Sequence, residues 1–410
     1  MESTYFRKGF GLKSAIEGSL TADYHSAVVD LLRANDYALA VGPLTFRLAR
    51  EFGFCYGVDR AVEYAYETRL KFPDRRLFLV GEIIHNPHVN RKLRDMGVVT
   101  LSRAADGEFE FTEVTAADVV IMPAFGVTMR DFERLRAIGC VLVDTTCGSV
   151  LNVWKRVESY ARDGYTAIIH GKHWHEETKA TASQVMKHPG GRYLVVFDMN
   201  EARQVMDFIE HGGDVATHQA QFARGVSPDF DFTTDLVRVG LANQTTMLSG
   251  ESLAIAAEFG RSMARRYGSA ALPEHFRSFD TICSATQERQ DAIDSLLEEP
   301  LDLMVIVGGY NSSNTTHLAA LVEARGIRGF HIEDADCIDP ADGTIRFQPV
   351  GGKHETVLPG WLGSARLIGI SAGASTPNNK VGETVARICA AAGVSAALEQ
   401  LLSCSSTSPT

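Results

Sequence analysis

Three of the seven cysteines share a local context that could bind metal. Cys55, Cys147 and Cys283 each follow a short apolar or extended stretch and come just before a predicted helix. The three predicted helices span residues 59–70, 149–162 and 287–297. A helix N-terminus has unpaired N–H groups and a partial positive charge, which stabilise a thiolate. Three thiolates that converge on one point would hold an iron–sulfur cluster with one iron left open.

The spacing of these cysteines excludes the paired CxxC pattern of a zinc ribbon, because they lie 92 and 136 residues apart (147 − 55 and 283 − 147). A buried cysteine is commonly only a small apolar residue, and spacing alone leaves that interpretation open for all three. It fits the other four better, since they lie in apolar strands, in helices or in the tail. These are Cys140, Cys337, Cys389 and Cys404.

A histidine-rich loop follows a predicted strand over residues 165–169. It reads His170-Gly171-Lys172-His173-Trp174-His175-Glu176-Glu177. The three histidines could form a zinc site or only a polar loop, but no further group of histidines or carboxylates completes a zinc ligand set. Glu177 is a candidate general acid, because a carboxyl group beside an anionic, partly desolvated ligand favours its protonated form. His175 and Lys172 could pair with a phosphate.

Three further loops are rich in hydroxyl and amide side chains and also follow predicted strands. They contain Gln244-Thr245-Thr246, Asn311-Ser312-Ser313-Asn314-Thr315 and Ser371-Ala372-Gly373-Ala374-Ser375. Each precedes a predicted helix, so each could simply cap that helix. Together they could instead cradle a phosphate or diphosphate through neutral donors. None has the Walker A or the dinucleotide GxGxxG pattern, so we predict neither ATP nor NAD binding.

Two other sites carry weaker signals. His85 ends a predicted strand, where a structural histidine is as compatible with the sequence as a ligand. Arg289, Gln290 and Asp291 are expected to lie on the surface of a helix, where they could support the Cys283 loop.

Short β-rich runs alternate with helical patterns along most of the chain. The clearest runs span residues 77–80, 118–122, 165–169, 236–241, 302–307 and 366–370. This alternation predicts an α/β fold with parallel sheets. Ligands of such sheets bind beyond the carboxyl ends of the strands, where the cysteines, histidines and polar loops lie.

Composition limits the class of protein. The net charge of −11 argues against nucleic-acid binding, and the odd number of scattered cysteines argues against a secreted disulfide framework. No apolar run reaches the length of a membrane span. Residues 1–30 mix charge and polarity without a signal-peptide pattern, and Glu2, Glu17 and Asp23 argue against a transit peptide. We therefore expect a cytoplasmic protein.

At 410 residues the chain is long enough for two or three domains. Residues 1–42 are predicted to be an N-terminal extension. Three α/β domains are predicted after it, with insertions near 200–235 and 339–363 and a C-terminal helix followed by a disordered tail. They span 43–147, 148–281 and 282–381, and the C-terminal segment spans 382–410. The first strand of the first domain, 43–54, could alternatively join the sheet of the third.

The motifs together closely resemble the LytB/IspH family of 4-hydroxy-3-methylbut-2-enyl diphosphate reductases, and the similarity runs from about Leu44 to Pro377. The matching segments are FGFCYGVDRAV, EIIHNPHVN, DTTC, HGKHWHEET, ANQTTM, TICSATQERQDA, GGYNSSNTTHL and SAGASTP. The resemblance implies a trefoil of three α/β domains around a central cavity that holds one [4Fe–4S] cluster. It also implies reductive dehydroxylation of a diphosphate substrate to isopentenyl and dimethylallyl diphosphate, with ferredoxin or flavodoxin as electron donor.

By resemblance, the three cysteines that precede helices are the cluster ligands, and Glu177 delivers a proton. The implied substrate-binding positions are His85, His175, Gln244, Thr245, Ser312, Ser313, Asn314 and Ser375. One departure is Phe125, which stands where many members have a diphosphate-binding histidine, although the plastid-type branch also has Pro-Ala-Phe-Gly there. Lys172 and His173 could replace the missing cation.

Two other classes of function remain open from the residues alone. The cysteines could form a structural metal site in a phosphate-binding protein. Alternatively, the histidine loop could be the metal centre of a hydrolase that cleaves phosphoesters.

Overall fold

The computed structural model describes residues 4–105 and 107–405. Contacts within the chain divide it into two compact units. Unit 1 contains residues 4–9, Thr68–Ile83 and Gly97–Cys283. Unit 2 contains Phe10–Glu67, Ile84–Met96 and residues 284–405.

Strands and helices alternate along both units. The strands are β1 (Tyr5–Phe6), β2 (Ala38–Val41), β3 (Leu44–Leu48), β4 (Leu77–Val80), β5 (Val98–Leu101), β6 (Val119–Met122), β7 (Val141–Asp144), β8 (Thr166–His170), β9 (Tyr193–Val196), β10 (Val239–Asn243), β11 (Phe276–Ser278), β12 (Leu303–Val307), β13 (Gly329–Ile332), β14 (Ile338–Asp339), β15 (Thr344–Phe347), β16 (Thr356–Pro359) and β17 (Leu367–Ala372). The helices are α1 (Lys13–Tyr24), α2 (Ala27–Ala34), α3 (Tyr56–Lys71), α4 (Pro87–Asp95), α5 (Met129–Ile138), α6 (Gly148–Arg162), α7 (Glu176–Val185), α8 (Met199–His211), α9 (Val215–Phe222), α10 (Ser249–Tyr267), α11 (Leu272–His275), α12 (Ser284–Leu296), α13 (Ser313–Ala324), α14 (Asn378–Ala391) and α15 (Ser395–Ser405).

Unit 1 contains two parallel sheets. The first has the strand order β1-β7-β6-β4-β5 and the second has the order β11-β10-β8-β9. Every residue of β4, β6, β7, β8 and β10 is buried. This is expected of strands that are covered on both faces, and it explains their nearly continuous apolar sequences.

Unit 2 contains a five-stranded sheet with the order β13-β12-β17-β3-β2. All neighbours are parallel except β2 and β3, which pair antiparallel. The strand near the start of the chain, β3, thus pairs with β17 from the C-terminal part. A small antiparallel sheet, β14-β15-β16, occupies the segment that the sequence marked as an insertion near 339–363.

The predicted fold class, α/β with small and mostly parallel sheets, is confirmed, and the domain boundaries stay predictions. The N-terminal segment contains α1 and α2, as well as β1, which pairs with β7. The Ser/Thr-rich tail, which the sequence predicts to be disordered over 403–410, is instead helical at its start, because α15 continues to Ser405. The rest of that tail, 406–410, lies outside the described residues. Among the described helices, none is long and apolar enough to cross a membrane.

Candidate functional site

In unit 1, Cys147 lies at the N-cap of α6, with extended backbone (φ −62°, ψ 143°). Its N–H donates to the carbonyl of Ala124 at 2.8 Å. The Asp144 carboxylate accepts the N–H of Thr146 at 3.0 Å, and its other oxygen accepts the hydroxyl of Tyr5 at 2.6 Å. The loop that carries Cys147 is therefore fixed to the loop after β6 and to strand β1 of the same sheet.

Glu177, the predicted acid, is buried at the start of α7, with 2% of its surface exposed. Its carboxylate accepts two hydrogen bonds from Thr245, one from the N–H at 2.6 Å and one from the hydroxyl at 2.9 Å. The neighbouring Glu176 instead pairs with Arg103 and Lys179. The two adjacent glutamates thus have separate partners, and Thr245 holds Glu177.

His175 is the N-cap of α7, where its Nδ1 accepts the N–H of Glu177 at 3.1 Å. The proton of the neutral ring must therefore be on Nε2. Phe125 packs against this imidazole in an edge-on contact, with 6.3 Å between ring centroids. Gly126 follows with φ 78°, and a Cβ there would collide with the ring of Trp154. Phe125 thus occupies a restricted turn beside His175.

Gln244 connects the histidine-rich loop to the end of β10. Its Oε1 accepts the Lys172 N–H and the Thr178 hydroxyl, both at 3.0 Å, and its Nε2 donates to Thr246 at 2.8 Å. The next carbonyl, that of Thr245, accepts the N–H of Cys283 at 3.4 Å. Unit 1 therefore brings the predicted residues Glu177, His175, Gln244 and Thr245 together with Cys283.

Three basic residues of the histidine-rich loop, His170, Lys172 and His173, differ in environment. His170 ends β8 and is buried; its Nδ1 lies 2.8 Å from the hydroxyl of Ser252, and burial lowers the pKa of its imidazole to about 4. It is thus a neutral core residue, which removes one histidine from the alternative zinc site. Burial also lowers the pKa of the half-buried Lys172 ammonium. Burial, and then the nearby Arg224 guanidinium, lower the pKa of His173.

In unit 2, Cys55 comes directly before α3, and its N–H donates to the carbonyl of Ala374 at 3.2 Å. Arg289 is buried and donates to the carbonyl of Gly53 at 2.7 Å and to that of Phe54 at 3.2 Å. The guanidinium of Arg289 also donates to the carbonyl of Ala285 at 2.9 Å. It therefore contacts the segment just after Cys283, as expected, and in addition the Cys55 loop. A contact across 236 residues of sequence leaves no local signal that could have shown it.

The hydroxyl of Ser375 donates to the carbonyl of His85 at 3.2 Å and lies 3.5 Å from the hydroxyl of Ser312. The Asn314 Oδ1 accepts the Ala374 N–H at 2.9 Å. Unit 2 therefore brings its predicted diphosphate-binding residues together beside the loop that Cys55 contacts.

Two of these residues have buried polar atoms without a protein partner. In the described part of the chain, the Ser313 hydroxyl and the Asn314 Nδ2 form no hydrogen bond, although both side chains are only 2% exposed. An unsatisfied buried donor costs free energy, so a ligand that accepts from it would be stabilised. These atoms suit the oxygens of a phosphate.

The capping interpretation of the polar loops holds for one loop of the three. Ser312 caps α13 by accepting the Thr315 N–H. The N-caps of α10 and α14 are Leu248 and Pro377, which make no side-chain capping bond. Helix capping therefore does not explain the polar residues around Thr245 and Ser375.

The three candidate cluster ligands differ from the other cysteines of the sheets and helices in burial. Cys55, Cys147 and Cys283 are half-buried, whereas Cys140, Cys337 and Cys389 are buried in apolar cores. Among the described residues, no three His, Cys, Asp or Glu side chains lie close enough together to bind a single metal ion. A [4Fe–4S] cluster binds each thiolate through a different iron, so it suits single, accessible thiols at separate helix starts.

The chain belongs to the LytB protein family, whose sequence model matches residues 46–389. It is similar to the 4-hydroxy-3-methylbut-2-enyl diphosphate reductase of Gloeobacter violaceus, with 50% identity over 95% of this chain and 93% of that protein. The reductase of the same name from Thermosynechococcus vestitus is 49% identical over 94% of each chain.

Solved structures share the fold. One is a structure of (E)-4-hydroxy-3-methyl-but-2-enyl diphosphate reductase, described as the terminal enzyme of the non-mevalonate pathway. It is 26% identical to this chain in sequence, with a TM-score of 0.51, and the match covers 84% of this chain and 98% of the chain of that structure. The reductase structure from Plasmodium falciparum has 20% identity and a TM-score of 0.61, over 84% of this chain and 87% of its own. At that identity it supports the fold alone.

Proposed function

We propose that this protein reduces (E)-4-hydroxy-3-methylbut-2-enyl diphosphate to isopentenyl and dimethylallyl diphosphate, the last step of the non-mevalonate isoprenoid pathway. The observation that carries this proposal is the buried Glu177 carboxyl held by Thr245, whose own carbonyl accepts the N–H of Cys283. The proposed acid and one proposed cluster ligand are thereby bonded to the same residue, Thr245. The identity of about half the residues with reductases over nearly the whole chain supports it further.

We also propose that Cys55, Cys147 and Cys283 hold one [4Fe–4S] cluster. Each comes directly before a helix, whose N-terminal dipole stabilises a thiolate. When bound, such a cluster supplies electrons one at a time and a Lewis acid for the substrate oxygen.

The residues of the chain then have distinct tasks. The substrate alcohol gains two electrons and two protons and loses its hydroxyl as water, so that one C–O bond breaks and one C–H bond forms. Glu177 gives the proton that lets the hydroxyl leave as water. The hydroxyl and amide groups of Ser312, Ser313, Asn314 and Ser375 bind the diphosphate, which positions the reacting carbon through a remote group.

An anaerobic absorption spectrum is the first test of this proposal. A reductase of this kind should be brown, with the broad sulfur-to-iron charge-transfer absorption of an iron–sulfur cluster, and should contain iron and sulfide in equal amounts. A colourless protein that contains zinc would contradict it and would favour the structural-metal or hydrolase alternatives.

Lys172→Ala and His173→Ala are expected to weaken diphosphate binding more than they slow turnover. Lys172 is half-buried and, in the described residues, has no carboxylate partner, so an anion beside it would offset the cost of burying its charge. A charge-assisted hydrogen bond contributes about 1.5–3 kcal/mol, which is about tenfold or more in affinity. Titration with isopentenyl diphosphate, a proposed product that does not react, measures the effect.

The matched control for this pair is Lys179→Ala, because Lys179 is exposed and already pairs with Glu176 at 3.5 Å. It should bind the product as the parent does. Unchanged affinity in both Lys172→Ala and His173→Ala would show that other residues, such as His85 and His175, balance the charge.

A further inference from the structure

Four arginines and one phenylalanine form a connected group on unit 1, with three of the arginines exposed and Arg277 half-buried. We call it the arginine face, and it consists of Arg156, Arg162, Arg238, Arg277 and Phe279. The side chain of Phe279 is 42% exposed, and the guanidinium carbon of Arg156 lies 4.0 Å from its ring centroid. Aromatic and arginine side chains together are enriched in protein–protein interfaces and dominate their binding energies.

Two buried tyrosines join the members of this face. Tyr160 stacks under Phe279, with 6.4 Å between ring centroids, and lies within electrostatic range of both Arg156 and Arg277. Arg277 and Arg238 both lie over the ring of Tyr165, at 4.2 and 4.1 Å from its centroid. These contacts link Phe279, Arg156, Arg277 and Arg238 through two buried tyrosines.

The guanidinium groups are only partly neutralised. Arg162 and Arg277 share the carboxylate of Asp163, at 3.3 and 2.5 Å. Within the described residues, Arg156 and Arg238 have no carboxylate partner, and the hydrogen bonds of Arg238 go to backbone carbonyls. Two arginines thus present unpaired positive charge to solvent.

This local charge contrasts with that of the whole chain. Counting Asp163, Glu274 and Asp280 against the four arginines leaves the face at about +1 (4 − 3), whereas the chain carries −11. An acidic partner would be repelled by the molecule as a whole and attracted here. Such complementarity guides encounter and selects the docking surface.

Two members of the arginine face, Phe279 and Arg156, lie close to proposed cluster ligands along the chain. Cys283 follows Phe279 by four residues, a distance of at most about 14 Å even when fully extended. Helix α6, which carries Arg156 and Arg162, begins directly after Cys147, and the nine residues from Cys147 to Arg156 rise about 14 Å along a helix. A protein docked around Phe279 and Arg156 would be near both thiols.

We propose that the arginine face docks a small acidic electron-carrier protein, such as a ferredoxin or flavodoxin, that delivers electrons to the site. This inference rests on the proposed function, which requires two electrons for each substrate. A carrier that gives one electron at a time must therefore dock twice in each turnover. Rapid, salt-sensitive association of the kind that surface charges provide suits this exchange.

The test compares two double variants with reversed charge. Arg156→Glu with Arg162→Glu changes the arginine face. Arg203→Glu with Arg261→Glu changes the same number of exposed charges on α8 and α10 and serves as the control. Reduction by a plant-type ferredoxin is measured at low ionic strength, and reduction by methyl viologen is measured in parallel. Calorimetric titration with oxidised ferredoxin gives the dissociation constant without turnover.

The KM and Kd for ferredoxin should rise about tenfold or more in the arginine-face variant, as expected when electrostatic steering is reversed. Both variants should keep the parent rate with methyl viologen. Equal ferredoxin constants in all three proteins, or a parent that binds no ferredoxin, would overturn the docking proposal. The proposal would also be overturned if the parent were a dimer and the Arg156→Glu and Arg162→Glu changes dissociated it. A parent inactive with methyl viologen would instead contradict the proposed function, while the titration would still decide the docking.

Discussion

Cys55→Ser, Cys147→Ser and Cys283→Ser are each expected to lose the iron–sulfur cluster or to retain a damaged one, with loss of nearly all activity. A serine hydroxyl is a much poorer iron ligand than a thiolate, because it stays protonated near neutral pH and is a hard oxygen donor. Each side chain is half-buried at the start of a helix, so the change to serine should disturb packing little. Iron and sulfide per chain after anaerobic reconstitution measure the effect.

The remaining cysteines provide the controls. Cys140→Ser, Cys337→Ser and Cys404→Ser should keep a full cluster. Cys140 is 2% exposed in an apolar core, and burial raises the pKa of its thiol to about 11, so we expect it to remain a protonated core side chain. Cys404 is exposed near the C-terminus and is the mildest of the three changes. Full cluster content in any variant of Cys55, Cys147 or Cys283 would disprove the ligand assignment for that residue.

The sequence predicted the elements around these cysteines because the signals are local. A strand, its loop and the next helix are indicated in turn by an apolar run, by small or polar residues and by a helical pattern. The observed helices α3, α6 and α12 begin within three residues of the predicted ones. The carboxyl ends of parallel strands gather such loops on one edge. This is why Glu177 could be expected near Thr245 and why the structure places them in contact.

Contacts between distant segments could not be predicted in this way. The bonds from Arg289 to the Cys55 loop and from Tyr5 to Asp144 join residues that are more than 130 positions apart. Nothing in the local pattern of either partner indicates the other. For His170 the local pattern indicated a ligand, because the residue lies in a polar, histidine-rich motif. In the structure it is the last residue of a buried strand and belongs to the core.

Glu177→Gln is expected to fold, to hold its cluster and to bind substrate, but nearly to abolish reduction. Glutamine has almost the same volume, and its Oε1 can still accept the Thr245 N–H that now bonds the carboxylate at 2.6 Å. The hydroxyl of Thr245 can rotate to accept from the new Nε2, because a hydroxyl both donates and accepts. The amide cannot release a proton as a carboxylic acid does, and positioned acid catalysis typically contributes about 10²–10⁴-fold.

The neighbouring glutamate is the matched control for this change. Glu176 pairs with Arg103 and Lys179 and makes no bond to Thr245, so Glu176→Gln should keep most of the activity. Single-turnover reduction with methyl viologen removes any effect on protein docking, and isopentenyl diphosphate titration checks that both variants still bind the diphosphate. If Glu177→Gln reduced substrate at the parent rate while Glu176→Gln did not, the acid would be Glu176, and the hydrogen bonds from Thr245 would serve only to anchor the start of α7.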